Sequence, residues 1–432
     1  MHFRLCDWTL LNRHFAAVIM WPFTKSADAG ILPGHGKYSV GCMDIMCDTT
    51  IHGSFLRLFY PAASPKASIA SDSSAYAAWL PSREYAEGFV SYAGYKHAAS
   101  VTASLLTFLT ESFKIPAIEN APLAKSNTPF PVVIFSHGLS ACRTTYSSIC
   151  VELASHGFIV GAVEHRDKSA CATYVIKDVT EDESDCKAPS GGRVQEWIPI
   201  LLVEGDDFEI RNNQLSQRAE ECTRALDLLL KMNSGEPVVN ALNDKFDGSM
   251  FKGKLDSDKV AICGHSFGAA TALLTLSQDK RFKCSVALDA WLFPVDKSTY
   301  ADIHQPVLLI NTEKFHWPAN VARMIRLVPE FDEPTNDRRM ITIRGTIHQS
   351  QTDFAVLFRQ SAARLLHFAG SLDPTLAMEL NLHATLAFLS SQLGLPCNAD
   401  YDKILTGENK HVLIGTNVKL DPEKVLAMKA SL

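Results

Sequence analysis

The chain has 432 residues, of which 47% are hydrophobic and 20% charged, enough apolar material for a large globular core. A formal net charge of -6, with no long basic run, removes the electrostatic basis for binding a nucleic acid. The 11 cysteines are odd in number and scattered without a Cys-x-x-Cys pair or a Cys/His cluster at zinc spacing. They point to buried, reduced thiols and a reducing compartment, and away from a disulfide scaffold or a zinc module.

Residues 1–37 read as an N-terminal extension. Its first 22 residues are apolar in part, but Asp7 and Asn12-Arg13-His14 interrupt the run. The run is too broken to span a bilayer, and a cleaved secretory signal stands as the alternative to an ordered or frayed extension. Position 2 is His, so N-myristoylation is not expected. Residues 38–416 read as a single domain, and 417–432 as a C-terminal tail.

In chain order, Gly53–Tyr60 predicts an early antiparallel strand that stops at Pro61. At His97–Phe113, the residues Val101, Leu105, Phe108, Leu109 and Phe113 recur at helical spacing among Ser, Thr and Ala. Six apolar runs then follow at Val132–Ser136, Phe158–Glu164, Lys259–Cys263, Cys284–Asp289, Val307–Asn311 and Met340–Arg344. Alternating with helical patterns, they predict an α/β chain whose mostly parallel sheet carries helices on both faces. Residues 168–215 are polar and read as a long excursion, and Arg218–Met232 as a helix packed on the sheet.

One segment carries chemistry. Gly264-His-Ser266-Phe-Gly268 lies directly between a β run and a helical run. A sharp strand-to-helix turn there would expose Ser266 at the sheet's C-terminal edge, with the helix N-terminus beside it. That context predicts an α/β-hydrolase fold with Ser266 as nucleophile. A serine hydroxyl needs a base, and the order Ser, acid, His restricts the choice to later histidines. His348 follows the run 340–344 in a loop and is the preferred base, and His316, after the run 307–311, is its rival. Asp289 closes the run 284–289 and is the preferred acid, with Asp296 as the alternative. Oxyanion donors are expected at the backbone N–H of Phe267 and of Leu139, in the loop after Val132–Ser136. His137 and His265 read as structural neighbours.

The residues together resemble one family. Phe135-Ser-His-Gly-Leu, Leu153-Ala-Ser-His-Gly-Phe-Ile-Val, Glu164-His-Arg-Asp, Gly264-His-Ser-Phe-Gly, Ala287-Leu-Asp-Ala-Trp and Ile341-Thr-Ile-Arg-Gly are similar to the platelet-activating-factor acetylhydrolases. These are the calcium-independent lipoprotein-associated and intracellular type II phospholipases A2. The resemblance implies hydrolysis of the sn-2 ester of phospholipids whose sn-2 chain is acetyl, short or oxidatively truncated. It places Ser266, Asp289 and His348 in the catalytic roles, Leu139 and Phe267 in the oxyanion hole, and Gln349, Trp291 and Phe315 on the substrate pocket. Ala269 stands where the family usually has a second glycine. Ser140-Ala-Cys142-Arg stands where Gly-Ala-Phe-Arg is typical.

The resemblance also implies work at a lipid surface, membrane or lipoprotein. The helix at 97–113 would be the docking face, joined by Leu357-Phe358 and Leu365-Leu366; an ordinary helix covering the core is the alternative. No metal or cofactor is expected, and a cytoplasmic enzyme with peripheral membrane association is favoured over a secreted one. A general carboxylesterase or lipase, and a catalytically silent binding protein on the same fold, are the competing functions.

Overall fold

The computed structural model describes residues 30–63, 75–94, 113–178, 192–205, 207–328, 338–358, 360–365 and 367–421. Four of the five positions in the 97–113 stripe, Val101, Leu105, Phe108 and Leu109, lie outside the described residues, as does most of the N-terminal extension.

Six strands run parallel at the centre of the main sheet, in the spatial order β12(Arg338–Ile343), β11(Val307–Thr312), β10(Cys284–Leu288), β9(Leu255–His265), β5(Phe130–Ser136), β6(Ile159–Val163). Each of the six apolar runs in the sequence lies on one of them, within a few residues at either end. Their side chains alternate between two cores. Val133 and Phe135 of β5 join Ala261 and Cys263 of β9 in one, while Val132 and Ile134 join Val260 and Ile262 in the other. Both faces of a strand are therefore apolar, which is why these runs are nearly continuous in Val, Ile, Leu and Ala.

Helices cover both faces. α2(Ser147–Ser155) and α8(Pro374–Gln392) pack on the first core, and α3(Phe208–Ser234) and α4(Phe267–Gln278) on the second. With the parallel strands between them, this is the α/β-hydrolase arrangement.

Antiparallel strands extend the sheet on both sides. β2(Ser54–Ala62) pairs with β6 and with β1(Ser39–Cys47), while β13(Val412–Ile414) pairs with β12. The expected stop at Pro61 is not observed, since Pro61 lies opposite Val40 and the strand continues to Ala62. The pairing of β2 with β6 has ended at Phe59, and beyond it only an isolated bridge to Leu123 remains, in which the Pro61 carbonyl accepts from the Ala124 N–H, so the missing N–H interrupts no continuous ladder. Beyond β1 come β4(Lys114–Glu119) and β3(Tyr76–Ala78).

The polar excursion is more ordered than the sequence suggested. It contains a separate two-stranded antiparallel sheet, β7(Ala172–Asp178) with β8(Arg193–Pro199). Trp197 packs across the hairpin on Tyr174 and anchors it against Tyr85, at ring-centre distances of 4.9 and 5.4 Å. α3 also starts ten residues earlier than the apolar pattern indicated. The Asp207 side chain accepts from the Ile210 N–H as N-cap, and Gly235 ends the helix in the left-handed conformation. Its first turns bury polar side chains, Arg211, Gln214 and Arg218, which hydrophobic periodicity does not register.

Among the described residues, the cysteines are free thiols and most are buried; burial pushes the Cys263 thiol up to about 12. No described helix is long and apolar enough to cross a membrane.

Candidate active site

The parallel strands deliver their loops to one edge, and the chemistry-bearing residues follow strands β5, β9, β10, β11 and β12 there. After β9 the chain reverses at Ser266, whose φ is +57°, and α4 begins at Phe267. A non-glycine residue in that region is strained and persists only where its surroundings hold it. Here they do: the Ser266 N–H donates to the Leu288 carbonyl at 2.9 Å, and the Trp291 N–H donates to the Ser266 carbonyl at 3.1 Å. The flanking glycines permit the turn. A Cβ on Gly264 would strike the Gly268 carbonyl, and one on Gly268 would strike the Ser136 carbonyl.

Asp289, directly after β10, is fully buried and also has a positive φ of 46°. Its Oδ2 lies 2.7 Å from Nδ1 of His348, the histidine after β12. The Thr312 hydroxyl donates to the same oxygen at 2.6 Å, and the Thr312 N–H donates to Oδ1 at 2.7 Å. Burial raises the pKa of Asp289, but His316, His348 and their hydrogen bonds outweigh it and hold the carboxyl well below the usual carboxylate range. The group is a fixed anion.

His348 is confined by its neighbours. Its ring stacks on Phe315 at 3.7 Å and lies 4.4 Å from the ring of His265. Its side chain is 17% exposed, enough to meet a substrate. His316, the rival base, is not a separate site: its Nε2 contacts the other oxygen of the same carboxylate at 2.7 Å. With a side chain only 1% exposed it lies behind the acid. Asp296, the alternative acid, is exposed and accepts from Asn212 instead.

The loop after β5 is held from several directions. The Ser140 N–H donates to the Ser169 carbonyl at 2.7 Å, and Leu139 packs half-buried against the second core. Tyr146 Oη accepts from the Gly138 N–H at 3.1 Å and lies 2.8 Å from Nδ1 of His265, so it ties this loop to the residue beside Ser266. His137 is fully enclosed, with Nδ1 2.8 Å from the Gly138 carbonyl and Nε2 accepting from the His165 N–H at 3.2 Å. Burial, then the neighbouring His165 and Arg218, pushes its pKa well down, and the ring stays neutral. His137 and His265 thus occupy the structural roles expected of them.

Sequence reasoning missed the group beneath the loop. Arg218 of α3 is 0% exposed. Its guanidinium donates to the His137 carbonyl, to Ser136 Oγ and Ser169 Oγ, and to Thr271 Oγ1 of α4. It also sits 4.6 Å from the Phe267 ring centre. Its position on the buried face of α3, in line with Leu215, Cys222 and Leu229, was the available signal.

The expected pocket residues gather at the same edge. Trp291 packs edge-on against Phe267, Phe315 lies on His348, and Gln349 directly follows His348, its carbonyl accepting from Thr352 Oγ1 at 2.9 Å. Phe113, the described end of the 97–113 stripe, is half-buried, its ring 6.1 Å from that of Phe358. Leu357, expected on the docking surface, is buried in the first core, because its short helix closes over α8; Leu365 is exposed.

Among the described residues, one set of His, Cys, Asp or Glu has the spacing of a metal site: His265, Asp289 and His348, with ligand atoms within 4.8 Å of one another. Within the set, His348 Nδ1 faces Asp289 Oδ2 at 2.7 Å, and His265 Nδ1 faces Tyr146 Oη at 2.8 Å.

The family model for platelet-activating factor acetylhydrolase, isoform II, matches residues 23–412. The chain belongs to this family. It is 43% identical over 391 residues to a platelet-activating factor acetylhydrolase of Cavia porcellus, covering 90% of this chain and 84% of that one. The Bos taurus protein of the same name is 42% identical over 388 residues, covering 89% and 82%. Among solved structures, a ferulic acid esterase from Streptomyces cinnamoneus superposes with a TM-score of 0.60 at 16% identity, over 90% of this chain and 99% of that one. At that identity the likeness is one of fold. The motifs that suggested the family all lie inside the matched span, including the Ser140-Ala-Cys142-Arg departure, where Cys142 is fully buried beside Thr144 and Thr145.

Proposed function

We propose that this chain is a phospholipid esterase that removes an acetyl, short or oxidatively truncated acyl group from the sn-2 position, as in platelet-activating factor, without calcium. The observation that carries the proposal is the buried Asp289 carboxylate, bonded to His348 at the edge where Ser266 stands in its strained turn. Family membership supplies the substrate class.

The reaction is a two-step acyl transfer. Ser266 Oγ attacks the sn-2 carbonyl as His348 Nε2 takes its proton, and the imidazolium is stabilised by Asp289. The Leu139 and Phe267 amides receive the oxyanion, and the helix N-terminus adds its positive dipole end. The C–O bond to the glycerol backbone breaks as His348 returns the proton to the leaving alkoxide, which departs as the lyso-phospholipid. Water, deprotonated by His348, then attacks the acyl-enzyme, releasing the short-chain acid and regenerating Ser266 with its proton. Trp291, Phe315 and Gln349 line the substrate pocket.

A lipid surface is the proposed place of action, with the 97–113 stripe and the exposed Leu365 facing it. The free thiols support a cytoplasmic enzyme with peripheral attachment.

The test is acetate release from an sn-2-acetyl phospholipid in excess chelator, comparing the chain with Ser266→Ala and adding a long-acyl competitor. Chelator-resistant release that the variant loses and the long-acyl lipid does not inhibit upholds the reading. Cleavage of aryl or long-acyl esters but not the acetyl lipid would keep the hydrolase and overturn the substrate.

A further inference from the structure

Asp289 faces two imidazoles rather than one, and the second has a determinable protonation state. His316 Nε2 lies 2.7 Å from Asp289 Oδ1, opposite the oxygen that meets His348. Its other nitrogen, Nδ1, lies 3.1 Å from Nδ2 of Asn320, near the start of α5(Pro318–Ile325). The orientation of the Asn320 amide follows from its remaining partners. The Leu292 N–H can only donate, and it contacts one amide atom at 3.0 Å; the Ala290 carbonyl can only accept, and it contacts the other at 2.7 Å. The atom facing Ala290 and His316 is therefore the NH2 group. An N–H aimed at His316 Nδ1 requires a lone pair there, so the proton of the ring sits on Nε2 and points at Asp289.

We infer that His316 is a positioning residue, held as the neutral Nε2–H tautomer by Asn320, which fixes the Asp289 carboxylate and through it the orientation of His348. This rests on the reading of Ser266, Asp289 and His348 as the catalytic set. The carboxylate then has four donors, two on each oxygen: His316 and the Thr312 N–H on Oδ1, His348 and the Thr312 hydroxyl on Oδ2. It cannot rotate without breaking several of them. Protonating His316 at Nδ1 would set N–H against N–H at Asn320, so His316 does not take the reaction proton. The work of shuttling falls to His348. The other titratable groups facing this cluster are His348 and the buried His265, itself engaged with Tyr146.

The inference separates donor chemistry from bulk. His316→Gln keeps an N–H for Asp289, whereas His316→Leu keeps volume and loses the donor. Removing the donor leaves Asp289 Oδ1 more basic and less fixed, so His316→Leu should lose about 10- to 100-fold in kcat with KM unchanged. The acid limb of its pH profile should move to higher pH, since His348 faces a more basic carboxylate. His316→Gln should restore most of kcat and return the limb. In the unmodified protein, 15N-histidine spectra should show the His316 proton on Nε2, with Nδ1 unprotonated. The inference is overturned if His316→Leu keeps its kcat and acid limb, if His316→Gln is as impaired as His316→Leu, or if the spectra show Nδ1 protonated. Ser266→Ala distinguishes the two readings: residual activity there would bring down the catalytic set itself, whereas a dead Ser266→Ala beside an unimpaired His316→Leu would bring down this inference alone.

Discussion

The buried guanidinium of Arg218 donates to the backbone carbonyl of His137, joining the long helix α3 to the loop that offers the Leu139 amide. The same side chain reaches Thr271 on the helix that begins after Ser266. One cation therefore sets the spacing between the two proposed oxyanion donors. Arg218→Met should lower kcat about 100-fold through misplacement of that loop. It should also cost about 1–3 kcal/mol of stability, because the buried His137 carbonyl loses its donor and the surrounding hydroxyls lose theirs. Arg218→Lys should fall between, since a single ammonium cannot reach Thr271, Ser169, Ser136 and His137 at once. Steady-state kinetics and denaturant unfolding of the two variants check this.

Asp289→Asn should retain the fold and lose about 10⁴-fold in kcat, because an amide group at that position favours the wrong tautomer of His348. The four donors around the carboxylate make a second consequence measurable. The new NH2 must oppose two of them, so the melting temperature should fall as well. A variant with normal melting and near-normal turnover would contradict the role of Asp289.

Phe315 stacks on His348 at 3.7 Å and blocks one face of the imidazole from turning. Phe315→Ala should reduce kcat more than it raises KM for an acetyl substrate, and should widen the accepted acyl length. Comparing kcat and KM across a series of sn-2 acyl chains is the measurement. A change confined to KM would assign Phe315 to binding alone.

Gly268 has no room for a side chain, because the Ser136 carbonyl occupies the space where a Cβ would stand. Gly268→Ala should push α4 away from β5, with a large loss of activity and of soluble yield. Ala269→Gly, one residue on, restores the residue usual in the family. It should leave activity intact at a stability cost of about 1 kcal/mol from the lower helix propensity of glycine. The pair tests whether the close approach resides at 268 alone.

Asp353 supplies a pH dependence of stability. Its carboxyl accepts from the Ser147 and Ser148 N–H groups at the start of α2 and from Trp79 Nε1. Burial outweighs these donors and pushes its pKa from 3.8 up to about 7. Since the folded value is the higher one, folding favours the protonated acid. Its contribution to stability is complete below pH 3.8 and is lost as pH rises towards and through about 7. Asp353→Asn has no proton to lose, so its melting temperature should vary less across that window than the parent's. The slope is the readout, whatever the absolute stability of the variant.

The sequence by itself was sufficient for the parallel core and the order of the chemistry. Strands buried on both faces need continuous apolar runs, so β5, β6, β9, β10, β11 and β12 announced themselves, and Gly264-x-Ser266-x-Gly268 sits where a strand must give way to a helix. Chain order then narrowed the base and acid to a few residues. Local pattern could not reveal β8, whose mostly exposed residues carry no alternation, or β7, whose first four residues are buried on both faces, or the polar start of α3, where buried Arg211, Gln214 and Arg218 hide in a helix that periodicity reads by its apolar side chains. It preferred His348 as base from its loop position and left His316 as a rival. Both follow parallel strands and both end within 2.7 Å of Asp289. Only tertiary packing sets them apart, by burying His316 behind the carboxylate against Asn320 and leaving His348 partly exposed. Hydrogen bonds between residues tens of positions apart depend on where strand ends meet in space, and that is set by the sheet as a whole.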